Sequence, residues 1–452
     1  MNSKTLDMTS GKPLKLLIMF AAPLMAGNIF QQMYTMVDTA IVGNGVGVEA
    51  LASIGAADWL NWMILGLATG FTQGFSILIS QAFGAKDEKK LNCSVMMSIV
   101  LGVGLSLVIS LVSLVFLRPV LNLLNTPDNV IGGSIAYLEV MFSGVIITMM
   151  YNLFSAILRS FGNSKTPLVA MVIGSITNIG LDMLFVYGFS WGIRGAAIAT
   201  IIAQACAMIF CWIYVKRLPM LVFHKAGFKL HLPTLKHLLK LGCPVAFQNM
   251  IISVGGLVVQ YVVNGYGFVF IAGFTATNKL YGLLEFAAVS YGYAVATYCG
   301  QNLGAGKLER IKEGVTTAVK LSIITSLGVS VLMIGGGRNI LSLFVSSSAT
   351  QKAEVLDVAY MYLLIMALFL VVLFLLHIYR SSLQGMGDTF VPMLSGVVEL
   401  TMRIGIALLL PLLIGEIGIF FAEIAAWAGA ELILMYSYYR KVKNMRLAST
   451  DL

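Results

Sequence analysis

The chain has 452 residues, 58% of them hydrophobic and only 11% charged, whereas a soluble domain carries about 25% charged residues. No water-soluble fold hides that much apolar surface. The formal charge of +9 is not a nucleic-acid footprint here, because in a chain this apolar the position of each Lys and Arg carries more information than their sum.

Apolar stretches long enough to cross a bilayer follow one another from end to end, at 14–43, 50–81, 92–117, 130–158, 167–188, 195–215, 236–264, 268–300, 314–345, 355–383, 390–414 and 417–439. They predict about twelve transmembrane helices. The first is too long for a signal-peptide core and lacks a small-residue cleavage pattern, so it is expected to stay as a helix. Between the spans no segment is left for a soluble catalytic domain, and neither a GxxxxGK[ST] loop nor an H-E-x-x-H pair occurs. Energy must then come from a gradient or a partner, and no cofactor is expected.

With the N-terminus placed inside, the alternate links carry Lys4, Lys12 and Lys15, then Lys86, Lys89 and Lys90, then Arg159 and Lys165, then the run from Lys216 to Lys240 that includes Lys225. Lys307, Arg310, Lys312 and Arg380 follow, and the tail adds Arg440, Lys441, Lys443 and Arg446. The other links keep Arg118, Arg194, Arg338 and Lys352. This imbalance predicts a multi-pass protein of a bacterial cytoplasmic membrane with both termini cytoplasmic. Cys93, Cys206, Cys211, Cys243 and Cys299 have no metal or disulfide spacing and read as packing residues.

The chain matches itself at an offset of roughly 220 to 225 residues. Leu16-Leu17 and Pro23 recur as Leu238-Leu239 and Pro244, Gln81-Ala82-Phe83-Gly84-Ala85 as Gln301-Asn302-Leu303-Gly304-Ala305, and Leu158-Arg159-Ser160-Phe161-Gly162 with Pro167 as Leu383-Gln384-Gly385-Met386-Gly387 with Pro392. Gly84, Gly304, Gly162 and Gly387 read as helix C-caps. Duplication of a six-helix unit follows, with 1–215 as the N-lobe, 216–235 as a basic linker, 236–440 as the C-lobe and 441–452 as a tail. An even number of spans per unit gives parallel repeats, related by a pseudo-twofold axis along the membrane normal. Such repeats favour alternating-access transport over catalysis.

A carboxylate inside a bilayer costs at least about 2.5 to 3.5 kcal/mol on insertion scales, so each is a functional candidate. Asp38 lies about five residues, roughly 7 to 8 Å, from the outer end of its span. Asp182 lies at a matching depth, and Asn178 shares its helix face at i, i+4. The sixth span brings Thr200 to the same level. Two carboxylates, an amide and a hydroxyl can converge there, a set that suits a hard cation such as Na⁺ or a shared proton. In the second half, Glu285 and Glu399 lie mid-span. Glu399 and Arg403 at i, i+4 read either as an internal ion pair or as substrate or proton ligands. Lys279 and Arg403 are the cations expected to be buried. Tyr137 and Glu139 read first as interfacial packing and second as cavity lining. His377 reads as a packed polar residue, and His224, His231 and His237 belong to the linker.

Met36-Val37-Asp38-Thr39-Ala40-Ile41-Val42-Gly43, Gln81-Ala82-Phe83-Gly84-Ala85, Leu158-Arg159-Ser160-Phe161-Gly162-Asn163-Ser164-Lys165-Thr166-Pro167, Asn178-Ile179-Gly180-Leu181-Asp182 and Gly300-Gln301-Asn302-Leu303-Gly304-Ala305-Gly306 resemble the multidrug and toxic compound extrusion (MATE) transporters over about residues 10 to 440. The resemblance implies two six-helix lobes that export organic cations or amphipathic drugs in exchange for H⁺ or Na⁺. It also implies that Asp38, Asn178, Asp182 and Thr200 form the N-lobe cation site of the DinF-like branch, with Tyr137 as a cavity tyrosine. The NorM-like branch has an acid in the seventh helix, where this chain offers Gln248, Asn249 and Ser253, so a C-lobe ion site would have to use Glu285 or Glu399. A lipid-linked oligosaccharide flippase of the same superfamily is the rival reading. An intramembrane enzyme or a channel is further away. The expected partners are small organic cations and membrane lipids, with no nucleic acid, and the expected state is a monomer.

Overall fold

The computed structural model describes residues 5–124, 126–218, 220–223, 228–343 and 351–450; Lys4, His224 and Lys225 lie outside the described residues. No strand occurs among the described residues. In chain order the first half holds α1 (Pro13–Gly45), α2 (Val48–Gly84), α3 (Glu88–Leu123), α4 (Asp128–Ser143), α5 (Val145–Ser160), α6 (Lys165–Asp182), a π-helical turn (Met183–Gly188) and α7 (Gly192–Val215). The second half holds α8 (Leu232–Val263), α9 (Phe268–Gly304), α10 (Leu308–Leu341), α11 (Lys352–Leu368), α12 (Leu370–Gly385), α13 (Phe390–Leu409), the short α14 (Pro411–Ile414), a 3-10 turn (Glu416–Phe420) and α15 (Phe421–Thr450).

Nine of the described helices are long and apolar enough to span alone, and α4 with α5 and α11 with α12 each make one bent span, at 49° and 50°. The twelfth span is α9, of 37 residues, whose apolar run is diluted by Asn278, Lys279, Glu285 and its tyrosines. The predicted twelve-helix architecture is therefore present. Its two broken spans are a refinement that hydropathy cannot show. α8 starts at Leu232, ahead of the predicted 236.

The breaks repeat as the sequence does. α4 ends on Ser143 and α5 restarts across Gly144, while α11 passes into α12 across Phe369. A backbone carbonyl freed inside a bilayer must find a donor. Ser110 of α3 donates to the Phe142 carbonyl at 2.7 Å, and Ser330 of α10 donates to the Ala367 carbonyl at 2.6 Å. The two serines occupy matching places in the repeat, so the same bend is held by the same hydroxyl in each half.

The helix ends at the repeat anchors are built alike too. Asp87 and Lys86 donate to Ala82 and Phe83, Lys307 and Gly306 to Asn302 and Leu303, Asn163 and Gly162 to Leu158 and Arg159, and Asp388 and Gly387 to Leu383 and Gln384. Each is the paired 6→1 and 5→2 pattern of a Schellman cap. Gly162 and Gly387 have φ of 77° and 79° and hold the left-handed position, as expected. At the other pair that position belongs to Lys86 and Gly306, at 55° and 69°. Gly84 and Gly304 are only the last helical residues, which corrects the reading of them as the caps.

Two compact units form. One gathers Ala22–Met250 with the residues up to Met8, the other Thr9–Ala21 with Ile251 onward. The changes of unit fall inside α1 next to Pro23 and inside α8 beyond Pro244. Each proline removes one intrahelical hydrogen bond. In the first unit the early part of α8 packs on α2 with no side chains between: a Cβ on Gly74 would lie 2.4 Å from Gly242 Cα, and one on Gly70 2.5 Å from Ala246 Cα. This is small-residue helix packing, which lets backbones approach where lipid supplies no hydrophobic drive.

Candidate functional site

Asp38 on α1, Asn178 and Asp182 on α6 and Thr200 on α7 all belong to the first unit, and the fold brings them together. Asp182 is fully buried and Asn178 is 2% exposed, while Asp38 and Thr200 are half-buried. Asn178 Nδ2 faces Thr200 Oγ1 at 3.4 Å, and that hydroxyl donates to the Ala196 carbonyl at 3.0 Å. The Asp38 and Asp182 carboxyls come within hydrogen-bonding reach of each other. Neither has a donor to accept from: Asp38 Oδ1, Asn178 Oδ1 and both Asp182 carboxylate oxygens are buried without a partner among the described residues. Converging buried acceptors with no donor are costly. A proton or a small cation would satisfy them, and the all-oxygen donor set fits either.

Local structure explains how the pair is placed. Asp182 closes α6, and the widened π turn that follows lets Gly45 of α1 approach closely, a Cβ there meeting Val186 Cγ1 at 2.6 Å. π turns are frequent at functional sites. One turn beyond the acids, Ile41, Val42, Ala50, Val186 and Ala196 form a small apolar cluster. It lies on the side of the acids away from the basic links of this unit.

Sequence reasoning missed two neighbours. Tyr34, one turn before Asp38, stands in the electrostatic field of both acids, and Asp58 on α2 in that of Asp38. Asp58 is an acid within an apolar span, and the rule that singled out Asp38 would have found it. Tyr137 on α4 is half-buried and interacts with Asp58, Asp38, Tyr34 and Asp182. Glu139 parts from it and pairs with Arg194 at 3.2 Å, both side chains being exposed. Gln248, also in the first unit, is 1% exposed, and its neighbour Asn249 donates to the Gly66 carbonyl at 3.0 Å.

In the second unit the charges pair across helices. Glu399 and Arg403 do not pair with each other, because each finds an opposite charge on another helix. Arg380 of α12 donates to Glu399, and Arg403 donates to Glu423 of α15 at 2.8 Å and to the Ile252 carbonyl at 3.3 Å. Arg380 was assigned to a polar link, yet it is 7% exposed and buried with Glu399 at 3%. Lys279, expected to be buried, is exposed. Glu285 is half-exposed, 3.9 Å from His377 Nε2. No group of three or more His, Cys, Asp or Glu able to hold a metal ion occurs among the described residues.

The MatE family model matches residues 23–184 and 244–427, two segments that open on the repeat prolines Pro23 and Pro244. The chain belongs to the MatE family. It is 32% identical to the probable multidrug resistance protein YpnP of Bacillus subtilis over 311 residues, 68% of this chain and 69% of that one. It is 24% identical to the probable multidrug resistance protein NorM of Thermotoga maritima over 410 residues, 87% and 84% of the two chains. A solved outward-facing multidrug resistance MATE family transporter of the MOP superfamily has a TM-score of 0.90 at 22% identity, covering 99% of each chain. That likeness shows the fold. Membership of this family makes the chain a multi-pass membrane transporter and not an enzyme.

Proposed function

We propose that this MatE transporter is a secondary antiporter that exports organic cations or amphipathic drugs in exchange for H⁺ or Na⁺. Its curated relatives named for multidrug resistance or export support the substrate class. The observation that carries the coupling is the Asp38–Asp182 pair, in which Asp38 Oδ1 and both Asp182 oxygens are buried without a partner among the described residues. Two adjacent carboxylates in a low dielectric cannot both stay charged without a compensating cation. Binding of one ion there neutralises the site, and its release leaves a negative charge for a cationic substrate. Asn178 and Thr200 orient the pair and supply further oxygens. A proton is the simpler occupant, because the approach of the two carboxyls becomes a hydrogen bond once a single proton sits between them.

Asp58, Tyr34 and Tyr137 extend this site toward substrate. A carboxylate with aromatic faces beside it suits an organic cation. The apolar cluster of Ile41, Val42 and Val186 keeps water out on one side, so exchange from the other side follows a change of conformation. Movement of the two repeats gives alternating access. The excess of Lys and Arg on alternate links supports a cytoplasmic position for both termini in a bacterial cell. In the second unit Arg380 and Arg403 are both matched by carboxylates, which leaves no unpaired buried guanidinium among the described residues there for an anionic lipid head group.

The test is uptake of a fluorescent organic cation into inside-out vesicles, driven separately by imposed pH and Na⁺ gradients. One gradient is expected to drive uptake, and Asp38→Asn or Asp182→Asn to abolish it. Absence of driven uptake for every organic cation tried would sink the exporter reading.

A further inference from the structure

Glu431 sits midway along α15, in a helix that packs on α12 and α13 of the second unit. It is 7% exposed, and neither of its carboxylate oxygens has a hydrogen-bond partner among the described residues. Its electrostatic partner is Arg380. That guanidinium is already committed through Nη2 to Glu399 and to Ser395 Oγ at 3.4 Å, and its Nε is buried without an acceptor. From the elements packed on α15, the groups in play are Arg380 and Tyr379 of α12 and Glu399 of α13. One guanidinium thus stands against two buried carboxylates. The cluster carries one excess negative charge where an unmatched charge costs several kcal/mol.

We propose that Glu431, together with Arg380 and Glu399, forms a proton-binding site within the second unit, distinct from the Asp38–Asp182 pair. A proton on Glu431 makes the cluster neutral, and its loss leaves a net negative charge inside the span. Arg403 of α13 also acts on Glu399, but it is itself matched by Glu423, two helical turns from Glu431 on the same helix, roughly 12 Å, so that ion pair adds no net charge to the cluster. The occupant is a proton and not a metal cation because hard cations require several converging oxygens. Here Glu399 is already taken by Arg380, and only the Glu431 carboxylate is left without a partner among the described residues. Each unit of the transporter then has its own protonation step, and a pH gradient acts on both.

Infrared difference spectra of the purified full chain in lipid, recorded between acid and alkaline buffer, test this without reference to transport. The carbonyl band of a protonated carboxyl is expected to disappear as pH rises. Glu431→Gln should lack that component, whereas the Asp38→Asn/Asp182→Asn double variant should keep it. Glu399→Gln provides a second reading that does not remove the site: with Arg380 released from Glu399, ionised Glu431 is better stabilised, and its band should vanish at a lower pH. A difference spectrum unchanged by Glu431→Gln, or a band whose pH dependence is unmoved by Glu399→Gln, overturns the proposal. Loss of the band on adding Na⁺ at constant pH and ionic strength overturns it too, since the occupant would then be exchangeable for a metal cation.

Discussion

Removing one member of a buried ion pair should hurt this protein more than removing both. Arg380 and Glu399 are 7% and 3% exposed and bonded directly across α12 and α13. Arg380→Met takes away the guanidinium that faces two carboxylates, and stranding a buried charge in this way costs about 3–5 kcal/mol. Replacing the whole pair by apolar side chains of similar volume is often neutral or stabilising. Arg380→Met/Glu399→Leu should therefore recover most of the loss, ending within about 1–2 kcal/mol of the parent on that scale. Reversible unfolding of the purified chain in mixed micelles, followed by circular dichroism, reads all the variants. The reasoning fails if Arg380→Met alone is near neutral, or if the double variant is as damaged as the sum of the two single changes.

Gly74→Ala puts a Cβ 2.4 Å from the Gly242 backbone, and overpacking of this kind should cost about 1–3 kcal/mol in the same unfolding assay, whereas Gly104→Ala, which meets nothing within 4 Å, should be tolerated. Ser110→Ala and Ser330→Ala each remove the donor to a kink carbonyl; interhelical hydrogen bonds in membranes average roughly 0.6 kcal/mol, so each loss should be small and the two should be alike. Asp58→Asn should weaken binding of an organic cation in equilibrium titration while leaving ion-driven exchange of a neutral amphipathic substrate in place, because Asp58 stands beside the carboxyl pair without belonging to it. Equal loss for both substrates would show that Asp58 is part of the coupling site.

Hydropathy and the internal repeat made the twelve spans legible, because a bilayer permits few alternatives to a long apolar helix. The breaks at Gly144 and Phe369 were not legible, since the carbonyls freed there are satisfied by a hydroxyl on a neighbouring helix and no local proline marks them. Nor was the change of unit within α8, whose early part packs backbone to backbone on Gly70 and Gly74. The first-unit site could be read because depth along a helix is countable: Asp38, Asp182 and Thr200 were placed at one level by residue number alone. In the second unit the same counting left Glu399 and Arg403 open as an i, i+4 pair or as ligands. Each had a partner on another helix, and local spacing carries no record of which helices will be neighbours. Asp58 and Glu431 were both visible as acids inside apolar spans and were passed over.

The central claim is that ion coupling runs through the two carboxyls that meet without a donor in the first unit. Proteoliposomes that hold the purified chain and an organic cation, challenged with an imposed pH or Na⁺ gradient, test it most directly when driven uptake is compared with equilibrium exchange. Asp38→Asn and Asp182→Asn should each lose gradient-driven accumulation while passive exchange of the cation continues. Accumulation that persists at the parental level in both variants would contradict the account and move the coupling elsewhere.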